Sequence, residues 1–191
     1  MNIHNLFTEF DTKRVLIIGD AMIDSYMWGD INRLSPEAPV PVVEIHTHEN
    51  RLGGAANVAL NVKKLGATPI LCSVIGSERS SLFYKLMDKE EITTEGILID
   101  KKRKTTIKTR VIANNKHQVR IDEEERSAIN NENQLLQTIS SLLNNIDVII
   151  LQDYNKGVLT SNIIKEVIDI ANKSNIPTIV DPKKENFKLY N

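Results

Sequence analysis

The sequence alternates short apolar runs with segments whose apolar residues recur at helical spacing. Residues 14–20, 69–75, 148–151 and 177–183 have the length and hydrophobicity of strands that are buried on both faces. Such strands belong to parallel sheets covered by helices, so the pattern predicts an α/β fold with a mostly parallel sheet, in one domain over residues 1–191. The predicted helices are residues 55–65, 80–90, 135–143 and 160–174.

The charge balance and the cysteine count exclude several classes of protein. The 24 Lys and Arg residues against 25 Asp and Glu residues leave a net charge of −1, which argues against nucleic acid or a membrane surface as partner. The single cysteine, Cys72, excludes an internal disulfide and fits a reducing compartment. No apolar stretch reaches the roughly eighteen residues of a membrane span. Because the N-terminal residues also lack a signal-peptide core, we expect a cytoplasmic protein.

Two consecutive glycines, Gly53 and Gly54, precede a helical segment of small residues that contains Asn57. Glycine has no Cβ, so a ligand can approach its backbone closely, and the start of a helix leaves N–H groups free to bind it. The stretch is therefore either a turn that cradles a ligand or an ordinary tight turn packed against the sheet.

Acidic and basic residues follow the predicted strands at their carboxyl ends. In open α/β sheets these ends line the ligand crevice. Carboxylates suit sugar hydroxyls, Mg²⁺ or a general base, and lysines suit phosphates, so the set indicates phosphoryl transfer onto a polyol. Asp20 and Asp24 are predicted to lie in the loop after the first strand, where Asp24 either binds the polyol or is a solvated or capping residue. The residues are Asp20, Asp24, Asp153, Lys156, Asp181 and Lys183.

Residues 105–112 and 116–122 flank Asn114-Asn115 and predict a β-hairpin, since asparagine tolerates a positive φ. A hairpin that interrupts a βα alternation is a candidate lid or pairing surface for a second subunit. The neighbouring charged runs, residues 101–104 and 122–125, are predicted to be solvated turns.

Several motifs together resemble one group of the ribokinase-like (PfkB) sugar kinases, the heptose-7-phosphate kinases, from about residue 14 to residue 190. The resemblance implies a three-layer α/β sandwich with a mostly parallel central sheet. It also implies a small β lid, from about residues 31–48 and 104–122, that forms a homodimer interface. The motifs are IIGDAMIDSY, RLSPEAPVPVVE, RLGGAANVALNVKKLGA, TTIKTRVIANNKHQVRIDEEE, LQDYNKGVL and IPTIVDPK.

The group transfers the γ-phosphate of ATP, with Mg²⁺, to the anomeric hydroxyl of D-glycero-β-D-manno-heptose 7-phosphate, in the synthesis of ADP-heptose for the lipopolysaccharide core. By the matching motifs, the sugar would be held by Asp24, Gly53, Gly54, Asn57, Asp153 and Lys156. The nucleotide phosphates and Mg²⁺ would lie near Asp181 and Lys183. Independently of the resemblance, Arg110 and Arg120 of the hairpin are candidates for binding the 7-phosphate, because guanidinium groups suit phosphate, or are ordinary charges on the lid surface.

One departure from the group concerns catalysis. Its GAGD motif, whose aspartate is the catalytic base, has no counterpart in this sequence. We therefore interpret the chain as the N-terminal portion of such a kinase, with the sugar site and lid but no catalytic base. The alternatives are an inactive module that binds a sugar phosphate or dimerises, and a kinase for another sugar.

This interpretation predicts little or no kinase activity from these 191 residues alone. An assay of ATP consumption with heptose 7-phosphate tests it. Turnover at the rate of a complete sugar kinase would contradict it.

Overall fold

The computed structural model describes residues 3–190, and its centre is a parallel sheet of five strands. The helices are α1 (Ile3–Phe10), α2 (Ala55–Lys64), α3 (Ser80–Lys89), α4 (Glu132–Leu142) and α5 (Ser161–Lys173), with 3₁₀ helices at Ser77–Arg79 and Lys184–Tyr190. The strands are β1 (Arg14–Gly19), β2 (Ala21–Leu34), β3 (Pro41–Gly54), β4 (Thr68–Gly76), β5 (Ile97–Asp100), β6 (Thr106–Ala113), β7 (Lys116–Glu123), β8 (Val148–Gln152) and β9 (Thr178–Asp181).

The five-stranded sheet has the order β5-β4-β1-β8-β9, and every pairing within it is parallel. Alternate residues of its central strand point to opposite faces, as the pleat requires. Leu16 and Ile18 pack in a core with α4 and α5, whereas Val15 and Ile17 pack in a second core with α2 and α3. The predicted three-layer α/β sandwich is confirmed, with two helices on each face.

A second sheet of four strands, in the order β3-β2-β6-β7, stands beside the first. β2 follows β1 after a single residue, Asp20, and pairs antiparallel with β3 and parallel with β6. We call this sheet the lid sheet. It contains the lid segments expected from the sequence but begins about ten residues earlier, at Ala21.

The prediction that Asp24 lies in a loop is therefore wrong, because Asp24 is the fourth residue of β2. Residues 21–28 show no alternation of apolar and polar side chains, so the sequence carries no clear signal for the first half of this strand. Gly53 and Gly54 are likewise the last residues of β3, and α2 begins directly after them. Gly54 has a φ of 56°, and a Cβ there would collide with the backbone carbonyl oxygen of Asp20, so the position requires glycine.

The predicted hairpin is confirmed as β6 and β7. Asn114 and Asn115 have φ angles of 50° and 60°, as a two-residue turn of type I′ demands. Ile107, Thr109 and Val111 are buried on one face of β6, and the residues between them point to the other.

Two strand predictions differ from the structure. β5 was not predicted, because four residues are too few to establish a period. β9 was predicted to be buried on both faces, but its residues are alternately half-buried and exposed, and the side chain of Ile179 is 57% exposed. It is the last strand of the parallel sheet among the described residues. The other predicted helices and strands lie where the sequence indicated.

Candidate functional site

A cavity of about 400 Å³ lies between the lid sheet and the carboxyl ends of β8 and β9. Five cationic side chains and one carboxylate line it. Its lining residues are Met22, Asp24, Gly54, Asn57, Lys108, Arg110, Arg120, Tyr154, Lys156 and Lys183. The lid sheet and the loops after β8 and β9 therefore contribute to a single site.

Strand register brings the lid residues of this site together. Asp24 on β2 pairs with Lys108 on β6, and Arg110 on β6 pairs with Arg120 on β7. Residues that face one another across neighbouring strands point to the same face of a sheet. Asp24, Lys108, Arg110 and Arg120 thus face the cavity. Lys108 was not among the predicted site residues, although the alternation that placed Arg110 also placed Lys108 beside it.

Asp24 forms an ion pair with Arg110, from guanidinium Nη1 to carboxylate Oδ1, and both side chains are about one-fifth exposed. The carboxylate raises the pKa of Arg110 above its usual value through this hydrogen bond. A Cβ at position 53 would lie 2.6 Å from Asp24 Oδ2, so Gly53 makes room for the carboxylate without lining the cavity itself. The Arg110 guanidinium also lies 5.2 Å from the centre of the Tyr26 ring. The cavity face of the lid is thereby held in place before any ligand binds.

Glu124 joins the lid to the core behind two of the cavity lysines. Its carboxylate lies 2.7 Å from Lys156 Nζ and 3.5 Å from Lys108 Nζ, and it also pairs with Arg126 at 2.7 Å. The ammonium of Lys156, followed by the other cations, lowers the pKa of Glu124 to about 2. The prediction of a solvated acidic turn is wrong at this position, since the side chain of Glu124 is only 14% exposed.

The cavity carries more positive than negative charge. Asp24, Asp122 and Glu124 form ion pairs with four of the five lining cations. The ammonium of the fifth, Lys183, lies 5.4 Å from the centre of the Tyr154 ring. Five cations and one carboxylate line the cavity, while the carboxylates of Asp122 and Glu124 pair with three of these cations from outside the lining, where Glu124 also pairs with Arg126. The lining is therefore net positive, which suits a phosphate monoester dianion.

Two of the predicted acidic site residues do not line the cavity. Asp153 is buried, where its carboxylate accepts hydrogen bonds from Asn186 Nδ2 and Tyr190 Oη, both at 2.9 Å. Asp181 accepts a hydrogen bond from Gln152 Nε2. The structure therefore brings Asp24, Gly54, Asn57, both arginines and both lysines of the predicted site together, leaves Asp153 and Gly53 behind its walls, and places Asp181 at an exposed position outside the lining.

Asp20 and Arg103 hold the loop that carries Lys156. The Asp20 carboxylate accepts backbone N–H bonds from Tyr154, Lys156 and Val158. Arg103 donates to the carbonyl oxygens of Ser127, Glu125 and Lys156. Arg103 is only 7% exposed, so the prediction that residues 101–104 form a solvated turn is wrong there. Nothing in the local pattern distinguishes Arg103 from its three basic neighbours.

A second cavity, of about 320 Å³, adjoins the first beneath β3. Asp24 and Asn57 line both cavities, and α3 contributes Leu86 and Lys89 to the second. Within residues 3–190 no group of three or more His, Cys, Asp or Glu side chains is placed to hold a metal ion. None of the described helices is long and apolar enough to cross a membrane.

The fold and the cationic cavity at the strand ends are those of a carbohydrate kinase of the ribokinase type. Residues 12–190 match the pfkB family of carbohydrate kinases. The chain belongs to this family.

Its curated relatives are longer proteins. The bifunctional protein HldE of Helicobacter pylori strain J99 is 44% identical over 181 residues, which are 93% of this chain and 39% of that protein. HldE of Campylobacter jejuni subsp. jejuni is 44% identical over 184 residues, which are 96% of this chain and 39% of that protein. The chain thus spans about two-fifths of the length of these relatives.

Solved structures share the fold at low sequence identity. Ribokinase from Cryptococcus neoformans in complex with ADP has a TM-score of 0.60 at 17% identity, over 90% of this chain and 50% of its own. The ligand-free nucleoside kinase of Burkholderia thailandensis has a TM-score of 0.61 at 15% identity, over 90% of this chain and 55% of its own.

The Glu124 ion pairs predict a pH-dependent contribution to stability. A carboxylate whose pKa falls from 4.5 to about 2 on folding stabilises the fold above pH 4.5, and loses this contribution as the pH falls through about 2. We expect Glu124→Gln to lower the free energy of unfolding by about 1–3 kcal/mol at pH 7, and the difference from wild type to shrink between pH 4.5 and pH 2. Urea denaturation at a series of pH values measures this.

The matched control is Glu37→Gln, at an exposed position in the loop between β2 and β3. It should leave the free energy of unfolding unchanged across the series. A Glu124→Gln difference that stays constant from pH 7 to pH 2 would show that the charge of Glu124 is not what stabilises the fold.

Proposed function

We propose that this chain forms the sugar-phosphate site of a kinase that transfers the γ-phosphate of ATP to the anomeric hydroxyl of D-glycero-β-D-manno-heptose 7-phosphate. The observation that carries the proposal is a single cavity lined by a carboxylate, an amide and a cluster of five cations. Family membership supports phosphoryl transfer to a sugar, and the motif resemblance supports a heptose phosphate as the acceptor. Cys72 is a free, buried thiol, which fits the cytoplasm as the place of action.

The polar residues on the α2 side of the cavity suit the sugar ring. Asp24 accepts hydrogen bonds from hydroxyls, and Asn57 both donates and accepts them. Gly54 lets the ring approach the backbone at the start of α2. Gly53 and Asp153 act behind the wall in this proposal, since Gly53 leaves space for the Asp24 carboxylate and Asp153 begins the loop that carries Lys156.

The cations that line the cavity beside Asp24 and on the loops of the core suit the 7-phosphate. Arg110 and Arg120 offer planar guanidinium groups that bind phosphate oxygens in pairs, and Lys108 and Lys156 add mobile charges. A phosphate dianion would neutralise the excess charge of the site. Arg110 would then share its donors between Asp24 and the phosphate, which links recognition of the hydroxyls to recognition of the phosphate.

Lys183 and Asp181 are proposed to lie towards the nucleotide. Lys183 lines both the main cavity and a smaller neighbouring one of about 220 Å³, so its ammonium can reach phosphate groups from either side. Asp181 offers carboxylate oxygens of the kind that Mg²⁺ prefers. When bound, Mg²⁺ supplies charge neutralisation between the nucleotide phosphates. ADP in the ribokinase neighbour supports a nucleotide of this class.

Binding measurements with the 191-residue chain test the sugar-phosphate site. Calorimetry should give at least a tenfold higher affinity for heptose 7-phosphate than for the unphosphorylated heptose. Arg120→Met should weaken binding of the phosphate by about tenfold, the effect of losing one charge-assisted hydrogen bond, and leave binding of the heptose unchanged. Asp24→Asn should weaken binding of both, because it removes an acceptor for the hydroxyls.

The control is Lys165→Met, on the exposed face of α5, which removes a charge remote from the cavity. Equal affinity for the two heptoses would refute the phosphate site. Tighter binding of ribose or fructose 6-phosphate would favour a kinase for another sugar. Binding of heptose 7-phosphate without ATP turnover by a chain extended to full length would favour the sugar-phosphate-binding module.

The lid sheet is also the proposed surface of a homodimer. All eight residues of β7 are exposed, and no further strand pairs with its outer edge within residues 3–190. Val119 and Ile121 of β7, each 51% exposed, face the same way as the buried Val111 and Thr109 of β6. The apolar face of the lid thus continues onto an exposed edge strand, which a second copy of the chain would cover.

We expect the double variant Val119→Lys and Ile121→Lys to be monomeric under conditions in which the wild type is a dimer. Two charges in an apolar interface would have to be desolvated without a partner. Light scattering coupled to size exclusion measures the mass. The charge-matched control is Gln134→Lys with Gln137→Lys, both exposed on α4, and a double lid variant that remains dimeric would place the interface elsewhere.

A further inference from the structure

The backbone of Lys156 is bound on both sides by buried charged groups. Its N–H donates to Asp20 Oδ2 at 3.1 Å, beside the N–H of Tyr154 at 2.9 Å, and the N–H of Val158 donates to Asp20 Oδ1 at 3.0 Å. Its carbonyl oxygen accepts a hydrogen bond from Arg103 Nη2. Both peptide groups that flank the Lys156 side chain are therefore held by charge-assisted hydrogen bonds.

Asp20 and Arg103 are both buried but do not contact each other through any hydrogen bond or ion pair in the described structure. Asp20 is 2% exposed and Arg103 is 7% exposed. Burial raises the pKa of Asp20, against the effect of the three N–H donors, and burial lowers the pKa of Arg103, partly offset by the charge of Asp20. Placing two such charges in the interior costs free energy, which hydrogen bonds to the loop offset. These two buried charges therefore stabilise the backbone of a loop and do not line the cavity.

The same guanidinium fixes the acidic partner of the Lys156 ammonium. Arg103 Nη1 donates to the carbonyl oxygen of Ser127 at 2.9 Å, and Nη2 also approaches the carbonyl oxygen of Glu125 at 3.4 Å. Glu124, the residue before Glu125, holds Lys156 Nζ at 2.7 Å. One side chain therefore anchors both the backbone of Lys156 and the segment that holds its ammonium.

We propose that Arg103, together with Asp20, is a positioning residue that fixes the Lys156 ammonium in the cavity and so sets the preference for a phosphorylated sugar. This inference rests on the proposed sugar-phosphate site. A lysine has a flexible four-carbon stem, and ordering it on binding costs conformational entropy. Anchoring its backbone and its ammonium beforehand reduces this cost and raises the affinity for phosphate. Arg103 acts through Lys156 and touches no ligand.

A set of four variants of the full 191-residue chain tests the proposal. They are Arg103→Met, Lys156→Met, the double variant that combines the two, and Lys104→Met as an exposed control in the same loop. Calorimetry with heptose 7-phosphate and with unphosphorylated heptose is the binding measurement. Arg103→Met should weaken binding of the phosphate by about tenfold and change binding of the heptose by less than twofold. Lys104→Met should change neither.

The double variant separates positioning from a general loss of structure. If Arg103 acts through Lys156, the double variant binds heptose 7-phosphate as Lys156→Met does, because the effects of coupled residues do not add. Additive losses, or an equal loss for both heptoses, would overturn the proposal. If Arg103→Met does not fold, Arg103→Lys provides the same comparison, since it keeps the charge but replaces the planar guanidinium fork, whose two Nη groups reach carbonyls on separate segments, by a single ammonium nitrogen.

A ligand-free measurement makes failure of this proposal distinguishable from failure of the proposed function. The ¹³C resonance of Lys156 Cε, assigned by its loss in Lys156→Met, reports the environment of the ammonium. We expect Arg103→Met to shift it towards the resonances of exposed lysines and Lys104→Met to leave it in place. An unchanged resonance overturns the positioning role, whereas a wild type without preference for phosphate overturns the proposed function instead.

Discussion

The structure depends on one buried carboxylate, that of Asp20. Asp20 is the single residue between β1 of the parallel sheet and β2 of the lid sheet. Its carboxylate accepts the N–H bonds of the Lys156 loop, and its backbone carbonyl oxygen accepts the N–H of Ala55, the first residue of α2, at 3.0 Å. A carboxylate that is 2% exposed requires such donors, because an ionised group without them would not be buried. The lid, the start of α2 and the cationic loop therefore meet at one point.

The distribution of charge around the cavity follows from this arrangement. The cations face inwards, and the carboxylates that pair with Lys108, Arg120 and Lys156 stand behind them. Each ion pair fixes the conformation of a long cationic side chain and contributes little to the free energy of unfolding. The excess of positive charge remains available to bind an anion. Because Glu124 contacts lysines of both the lid and the core, the same ion pairs connect the two sheets.

Much of the fold was predictable because it rests on local patterns. The buried runs of β1, β4 and β8 and the amphipathic helix α5 have periods that short stretches of sequence reveal. The asparagine pair of the β6–β7 turn carries its own conformational signal. The first half of β2 was missed because Asp20 and Asp24 resemble the polar residues of a loop. The burial of β9 was predicted wrongly, because hydrophobic residues in a strand do not show how many of its faces are covered.

The sequence by itself determined the class of fold, the lid hairpin and the types of residue that a sugar-phosphate site requires, because periodicity and residue chemistry are local properties. Only the tertiary structure decided which of those residues share a cavity. It turned Asp153 towards Asn186 and Tyr190, brought Lys108 to the cavity beside Arg110, and buried Arg103 beneath the Lys156 loop. These outcomes depend on strand register and on hydrogen bonds between residues far apart in the chain, and neither leaves a period in the sequence.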